Sequence, residues 1–77
     1  MAGIPIPANC YLYTHCESLG WVYGSRRWRS TNGKKLYEWD SLHGEIEVYN
    51  KRGKHLGVLD HLGNPIKNAV EGRTIDI

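Results

Sequence analysis

The sequence predicts a mainly β domain, a small α+β fold at most, built as an antiparallel meander, and three observations predict it. The 77 residues are 40% hydrophobic and include three Trp, five Tyr, no Phe and nine Gly, an inventory for strands and tight turns rather than for a helical bundle. Apolar and polar residues alternate with a period of two along Lys35–Asp40, KLYEWD, and again along Glu45–Asn50, EIEVYN, as they do in half-buried strands. Turns containing Gly33, Gly44, Gly53 and Gly63 recur at short intervals, which suits one hairpin after another. A chain this short makes one domain with a modest core. It reads as a single unit over 1–77, with a variable N-terminal segment over 1–25 and the main sheet over 26–77.

Taken in order, Met1 to Asn9 carries Pro5 and Pro7 and reads as an extended lead-in. Cys10 to Tyr23 supports two readings. Tyr11–Thr14 and Trp21–Tyr23 have strand composition around a Glu17-Ser18-Leu19-Gly20 turn, which makes a hairpin; alternatively Asn9 caps a short helix that Gly20 stops. Cys10 and Cys16, with His15 beside the second, lack the paired C-x-x-C spacing of a zinc motif, so two reduced, half-buried thiols are expected. Ser25 to Trp28 starts the main sheet. In Ser30-Thr31-Asn32-Gly33 the Asn-Gly pair predicts a two-residue hairpin loop. Ser41-Leu42-His43-Gly44 connects the two alternating strands, with Gly44 free to take a positive φ. Asn50-Lys51-Arg52-Gly53 turns into a strand over 55–60, and Asp60-His61-Leu62-Gly63-Asn64 turns into Pro65-Ile66-Lys67. Glu71 to Ile77 reads as a short edge strand or a tail.

A formal net charge of +2 is too small to imply nucleic acid by itself, but the charge is unevenly placed. Arg26, Arg27, Arg29, Lys34 and Lys35 come with no acidic residue among them; Glu38, Asp40, Glu45 and Glu47 follow; Lys51, Arg52 and Lys54 restore the positive sign. Mutual neutralisation across neighbouring strands accounts for such a pattern, each exposed pair contributing about 0–1 kcal/mol. No run approaches the roughly 18 apolar residues of a membrane span. Met1 to Pro7 lacks the basic start and long apolar stretch of a signal peptide, so the chain is expected neither to anchor in a membrane nor to direct its own export.

The candidate chemistry lies in KLYEWDSLHGEIEVYN. If the second strand begins near His43, alternation puts His43, Glu45, Glu47 and Tyr49 on one face and Ile46 and Val48 in the core, with Asp40 arriving from the preceding strand. Carboxylates and a histidine on one face, with arginines nearby, suffice to cleave RNA without a metal. One group takes the proton of the ribose 2′-hydroxyl, another protonates the leaving 5′-oxygen, and a cation stabilises the charge on phosphorus. The 2′-hydroxyl is the nucleophile, so no serine or cysteine is required. Asp40, Glu45 and Glu47 are also able to hold Mg²⁺, although the arginine-rich flanks already supply the charge a metal would bring. On composition and spacing alone, a turn at Asp40-Ser41 and a solvent-facing strand are the simpler account of these residues. Trp28, Trp39 and Tyr49 divide between base-stacking platforms and core aromatics, and the core reading is favoured for both Trp.

The segment RRW…NGKKLYEWDSLHGEIEVYN…GKHLGVLD…GNPIK…GR, from Arg26 to Arg73, resembles the cytotoxic ribonuclease domain of the ribosome-inactivating colicins and cloacin. Its YEWDSxHGExE core is long and unusual. The resemblance implies a small, highly twisted antiparallel sheet, and an endoribonuclease that makes one cut in small-subunit ribosomal RNA at the decoding site, without a metal or other cofactor. It places the active-site aspartate on Asp40, the histidine on His43, the glutamate on Glu47 and the C-terminal arginine on Arg73. By this analogy Glu47 is the general base, His43 the general acid, Asp40 the group that holds the imidazole, and Arg73 the transition-state cation; Glu47 and His43 can exchange roles. Glu45 and Tyr49 are second-tier candidates on the same face. Arg26, Arg27, Lys34, Lys35, Lys51 and Arg52 would hold the rRNA backbone.

The same resemblance implies partners: the ribosome, and a small acidic immunity protein that shields the producer, with no role for DNA. It implies a toxin released or delivered by one bacterium and acting in the cytoplasm of another, as an excised C-terminal domain or as the payload of another delivery system. The chain departs from the pattern in its Cys- and Tyr-containing segment before Arg26, in Leu42 where a polar residue is usual, and in its Thr-Ile-Asp-Ile ending. A ribonuclease aimed at another RNA such as tRNA, and a non-catalytic RNA- or protein-binding β domain, are the alternatives.

Overall fold

The computed structural model describes residues 3–77; Met1 and Ala2, the start of the expected lead-in, lie outside the described residues. One helical turn, α1 (Tyr11–His15), precedes six strands: β1 (Cys16–Val22), β2 (Ser25–Ser30), β3 (Lys35–Asp40), β4 (Glu45–Asn50), β5 (His55–Leu59) and β6 (Pro65–Asn68). The strands form one sheet in the order of the chain, each antiparallel to the next. This is the mainly β meander that the alternation and turn chemistry predict. Irregularities at Ser18/Gly20, Val48/Tyr49 and Val58/Leu59 interrupt the register, and such bulges bend a sheet and increase its twist.

The stretch before β2 follows neither reading in full. The helix starts after Cys10 rather than after Asn9 and ends by Cys16. Glu17 to Gly20 is not a turn but lies inside β1, because the positive φ of Gly20, 72°, is absorbed at the bulge. The chain reverses instead at Tyr23-Gly24, between paired Val22 and Ser25. The Asn-Gly loop is also wider than two residues, running from Thr31 to Lys34 between β2 and β3. Side chains hold it open: Asn32 Oδ1 accepts the Lys34 N–H at 3.0 Å, and Ser30 Oγ accepts that of Lys35 at 3.0 Å.

Alternation decides which face is buried. Cys10, Leu12, Trp28, Tyr37, Ile46 and Val48 form the core, with Ile6, Tyr11, Cys16, Trp39 and Leu59 packed against it. The lead-in and α1 therefore cover one face of the sheet. Each large apolar side chain withdrawn there, Trp28, Leu12 and Ile46 above all, contributes about 1.5–3 kcal/mol. Both Trp are core residues as expected, Trp39 also donating its ring N–H to the Ile4 carbonyl at 2.8 Å. Both cysteines are free thiols, Cys10 fully buried. Burial raises both, Cys16 to about 11, with Cys10 adding to its shift.

The opposite face is partly crossed by the C-terminal residues, which make a single bridge, Lys54 to Thr74, rather than a strand. The His55 N–H donates to the Arg73 carbonyl at 3.0 Å, and the Ile75 N–H to that of Gly53 at 2.8 Å. Gly53, at φ 87°, has the Ile75 carbonyl where a side chain would stand, so the tail docks there only on a glycine. This return carries Arg73 back over the sheet. Among the described residues no helix is long and apolar enough to cross a membrane.

Candidate active site

Register places a row of side chains across the open face. Arg27 of β2 lies opposite Glu38 of β3, Glu38 opposite Glu47 of β4, Glu47 opposite Val58 of β5, and Val58 opposite Lys67 of β6. Residues directly opposite share a face, so Glu38 and Glu47 stand side by side, and each has its own arginine. Arg27 donates from Nε and Nη2 to Glu38 Oε2 at 3.2 and 3.0 Å. Arg73 donates from Nη1 to Glu47 Oε1 at 2.5 Å. The two pairs differ in exposure: the Arg27 side chain is 4% exposed and that of Arg73 is 48%.

At the end of this row the β3–β4 turn supplies the histidine. Asp40 Oδ1 accepts the backbone N–H of Leu42 at 3.0 Å and of His43 at 3.3 Å, while Oδ2 lies 2.8 Å from His43 Nδ1. The ring thus donates Nδ1–H to the carboxylate and presents Nε2 outward. Gly44, at φ 69°, closes the turn and returns the chain to Glu45. Burial pushes the Asp40 carboxyl up, but the bonds from the His43 ring and from the backbone of His43 and Leu42, together with the His43 charge, outweigh it and hold the group below 3.8. Asp40 is thereby kept as an anionic acceptor that fixes the imidazole.

Asp40, His43, Glu45, Glu47 and Arg73 line one cleft of about 240 Å³ with Lys67, Asn68, Val58 and Val70. The structure therefore brings together the four principal candidates and Glu45. Tyr49 keeps the face of Glu47, the extra residue of the Val48/Tyr49 irregularity being Leu56 of β5, but it does not line the cleft: it is 5% exposed, edge-on to His55 at 5.3 Å. Burial, then the charges of Glu47 and Glu38, raise its phenol against the opposing pull of Arg73 and Arg27, so it stays a neutral hydroxyl.

Two residues of the site carry no signal in the period of any one strand. His55 is fully buried, and its Nδ1 accepts the Val70 N–H at 2.9 Å. The ring proton is then on Nε2, which approaches Glu47 Oε1 at 3.4 Å without forming a hydrogen bond. Lys67 places Nζ 2.9 Å from Glu45 Oε1, and its pKa is raised by that bond first and then, against some desolvation, by the charges of Glu45, Glu47 and Asp40. The His55-Leu56-Gly57 and Pro65-Ile66-Lys67 runs were legible as strands, but only cross-strand register reveals that they end at Glu47 and Glu45.

The expected RNA-holding cations do not form one patch. Lys34, Lys51 and Arg52 line a shallow hollow at the β2–β3 and β4–β5 turns, with exposed Lys35 beside them. This end of the sheet is about 17 Å from Asp40 by the rise of β3. Exposed Arg26 lies at the opposite end, its guanidinium 4.9 Å from the Trp28 ring centre. Arg27 departs from the expectation of a surface cation, being buried against Glu38. Asp40, His43 and Glu45 each offer one ligand atom within 4.8 Å of the others, the one such group among the described residues; His43 Nδ1 and Glu45 Oε1 are already bonded to Asp40 and Lys67.

Fold and cleft together define a class: a small antiparallel-sheet domain with an acid–base cluster on its open face. The model of the family described as Cytotoxic matches residues 21–76, and the chain belongs to that family. It is similar to colicin E3 of Escherichia coli, 46% identical over 52 residues that make 65% of this chain and 9% of the colicin. It is 45% identical to colicin-E6 over 51 residues and 43% identical to cloacin over 51, both of Escherichia coli, each match covering 64% of this chain and 9% of the relative. The chain thus spans a small part of these relatives. The family that YEWDSxHGExE resembles is the family found, and its match leaves out α1 and all of β1 before Trp21.

Proposed function

We propose that the chain is the cytotoxic endoribonuclease domain of a bacteriocin-type toxin, cutting small-subunit ribosomal RNA at the decoding site by transesterification and needing no metal. The observation that carries this reading is the cleft in which Glu47, held by Arg73, faces an imidazole fixed by Asp40. Glu47 takes the proton of the ribose 2′-hydroxyl, and the 2′-oxygen attacks the adjoining phosphorus. As the bond from phosphorus to the 5′-oxygen breaks, protonated His43 gives its Nε2 proton to the leaving oxygen, so the products are a 2′,3′-cyclic phosphate and a 5′-hydroxyl. Arg73, exposed enough to exchange Glu47 for a phosphate oxygen, stabilises the extra charge on phosphorus. Lys67 is a second cation at the same cleft. The similarity to colicins and cloacin supports delivery into a competing bacterium, and the open acid–base face is where an acidic immunity protein would shield the producer.

The test is incubation of the protein with intact bacterial ribosomes in excess EDTA, followed by primer extension. A single new end in the small-subunit rRNA is expected, with cleavage reduced at least about 10²-fold in Glu47→Gln and in His43→Ala. Cleavage that stops in EDTA and returns with Mg²⁺ would move the site to metal chemistry through Asp40, His43 and Glu45. Intact rRNA alongside cut tRNA would keep the chemistry and change the substrate.

A further inference from the structure

The aromatics that the sequence offered as stacking platforms are all packed: Trp28 is 1% exposed, Tyr49 5%, and Trp39 lies against the core. Tyr13 of α1 is 46% exposed but lies edge-on to Trp28, and the most exposed Trp and Tyr rings are at the β1–β2 hairpin, where Trp21 is 73% exposed and Tyr23 69%. Tyr23 is a costly residue for its place. The two-residue loop Tyr23-Gly24 has positive φ at both positions, 50° and 82°, a geometry that strongly favours Asn or Asp before Gly. Tyr23 is the one non-glycine residue with positive φ among the described residues. Packing does not account for an aromatic side chain there, since the ring is mostly in solvent. Uncommon backbone at an exposed residue points to a task outside the fold.

The surroundings of the ring indicate which task. Tyr23 borders a hollow of about 240 Å³ shared with Ser25, Arg27, Glu38, Thr74, Ile75 and Asp76. Its ring centre is 6.0 Å from the Arg27 guanidinium. Arg27 and Glu38 begin the row that continues to Glu47, so the hollow opens directly beside the cleft. Its one cation is occupied by Glu38 Oε2, and the other polar side chains offer mainly acceptors and hydroxyls. A phosphate is poorly served by such a lining. A flat group with N–H edges is well served, stacking on the phenol and giving its protons to Asp76 and Glu38.

Resting on the ribonuclease reading above, we infer that Tyr23 and this hollow bind one unpaired nucleobase of the RNA strand, next to the phosphate cut at Glu47. The base stacks on Tyr23 while the phosphate goes to Arg73 and Lys67. This separates recognition of the base from the chemistry by the width of two strands.

The experiment compares native protein, Tyr23→Asn and Tyr23→Phe on a single-stranded oligoribonucleotide and on a set of the same strands, each lacking one base. Asn suits the turn, so the Tm of Tyr23→Asn is expected to equal or exceed the native value while its kcat/KM falls about ten- to a hundredfold. Tyr23→Phe keeps the ring and is expected to stay within about threefold of native. One abasic position beside the cut should cost the native protein the same factor and cost Tyr23→Asn nothing further. Native cleavage with equal kcat/KM in Tyr23→Asn would overturn the stacking site and leave the ribonuclease reading standing. A native protein that cuts no RNA at all would overturn both.

Discussion

Glu38 and Glu47 are the same residue type on the same face, directly opposite one another, and their different duties follow from their arginines. Like charges facing across a strand pair are destabilising, so each needs a cation. Arg27 is 4% exposed and gives two N–H groups to Glu38, an arrangement that no incoming anion can displace without opening the sheet. Arg73 is half exposed on a returning tail, so a phosphate oxygen can take it while Glu47 turns to a hydroxyl. Glu38–Arg27 is therefore placed to hold the sheet, and on the proposed reading Glu47–Arg73 is the reactive pair. Arg27→Ala is expected to lower stability by about 3 kcal/mol, because it leaves the Glu38 carboxylate nearly buried without its cation. Adding Glu38→Gln should restore part of that loss. Urea unfolding of the two variants checks this; a loss below about 1 kcal/mol in Arg27→Ala would return Arg27 to the surface cations the sequence suggested.

At the scale of elements, the α1–β1 layer makes the core sensitive to alkali. Cys10 immediately precedes α1 and Cys16 begins β1, both with thiols raised by burial, Cys16 to about 11 from 9.0. A folded-state value raised above the unfolded one contributes stability that is complete below the unfolded value and is lost as pH rises through the folded one. Tm is thus expected to hold up to about pH 9 and to fall between 9 and 11, with a smaller fall in Cys16→Ala; a flat profile in the native protein would show the thiols unperturbed. The same layer marks the limit of what the sequence disclosed. β3 and β4 were legible because a strand buried on one face writes a period of two, and Asp40 with His43 because a turn brings i and i+3 together locally. The hairpin of β1 and β2 was not, since Gly20 serves as a bulge and a tyrosine occupies the turn position where Asn is usual. Alternation places Tyr49 on the face of Glu47, and it lies there buried against His55 rather than open to the cleft. His55 and Lys67 join the site through pairings between strands, and no single strand records its partner's register.

Across the whole molecule, charge is sorted along the length of the strands. Lys34, Lys35, Lys51 and Arg52 gather at the two turns of one end, the acid–base cleft occupies the middle and the far turn, and Arg26 stands with the exposed aromatics at the β1–β2 hairpin. On the ribonuclease reading, an RNA strand lying along the open face would meet the cations of the turn end and then the cleft, whereas Arg26 stacks on Trp28 on the face that α1 covers. Lys34, Lys35, Lys51 and Arg52 are exposed, and Glu47→Gln frees Arg73 from its carboxylate, so about five counterion-releasing contacts are available in that variant. For a single strand the slope of log Kobs against log salt is about −0.7 per phosphate neutralised. Binding of a single-stranded oligoribonucleotide to the non-cleaving Glu47→Gln protein is therefore expected to show a slope of about −3.5. Replacing Lys51 and Arg52 with Ala should bring it to about −2, with cleavage of a short strand spanning only the cleft little changed. Titration by fluorescence anisotropy between about 0.05 and 0.3 M salt decides the matter. A slope unmoved by the double substitution would show that RNA does not reach the β4–β5 turn, and would confine its path to the hairpin and the cleft.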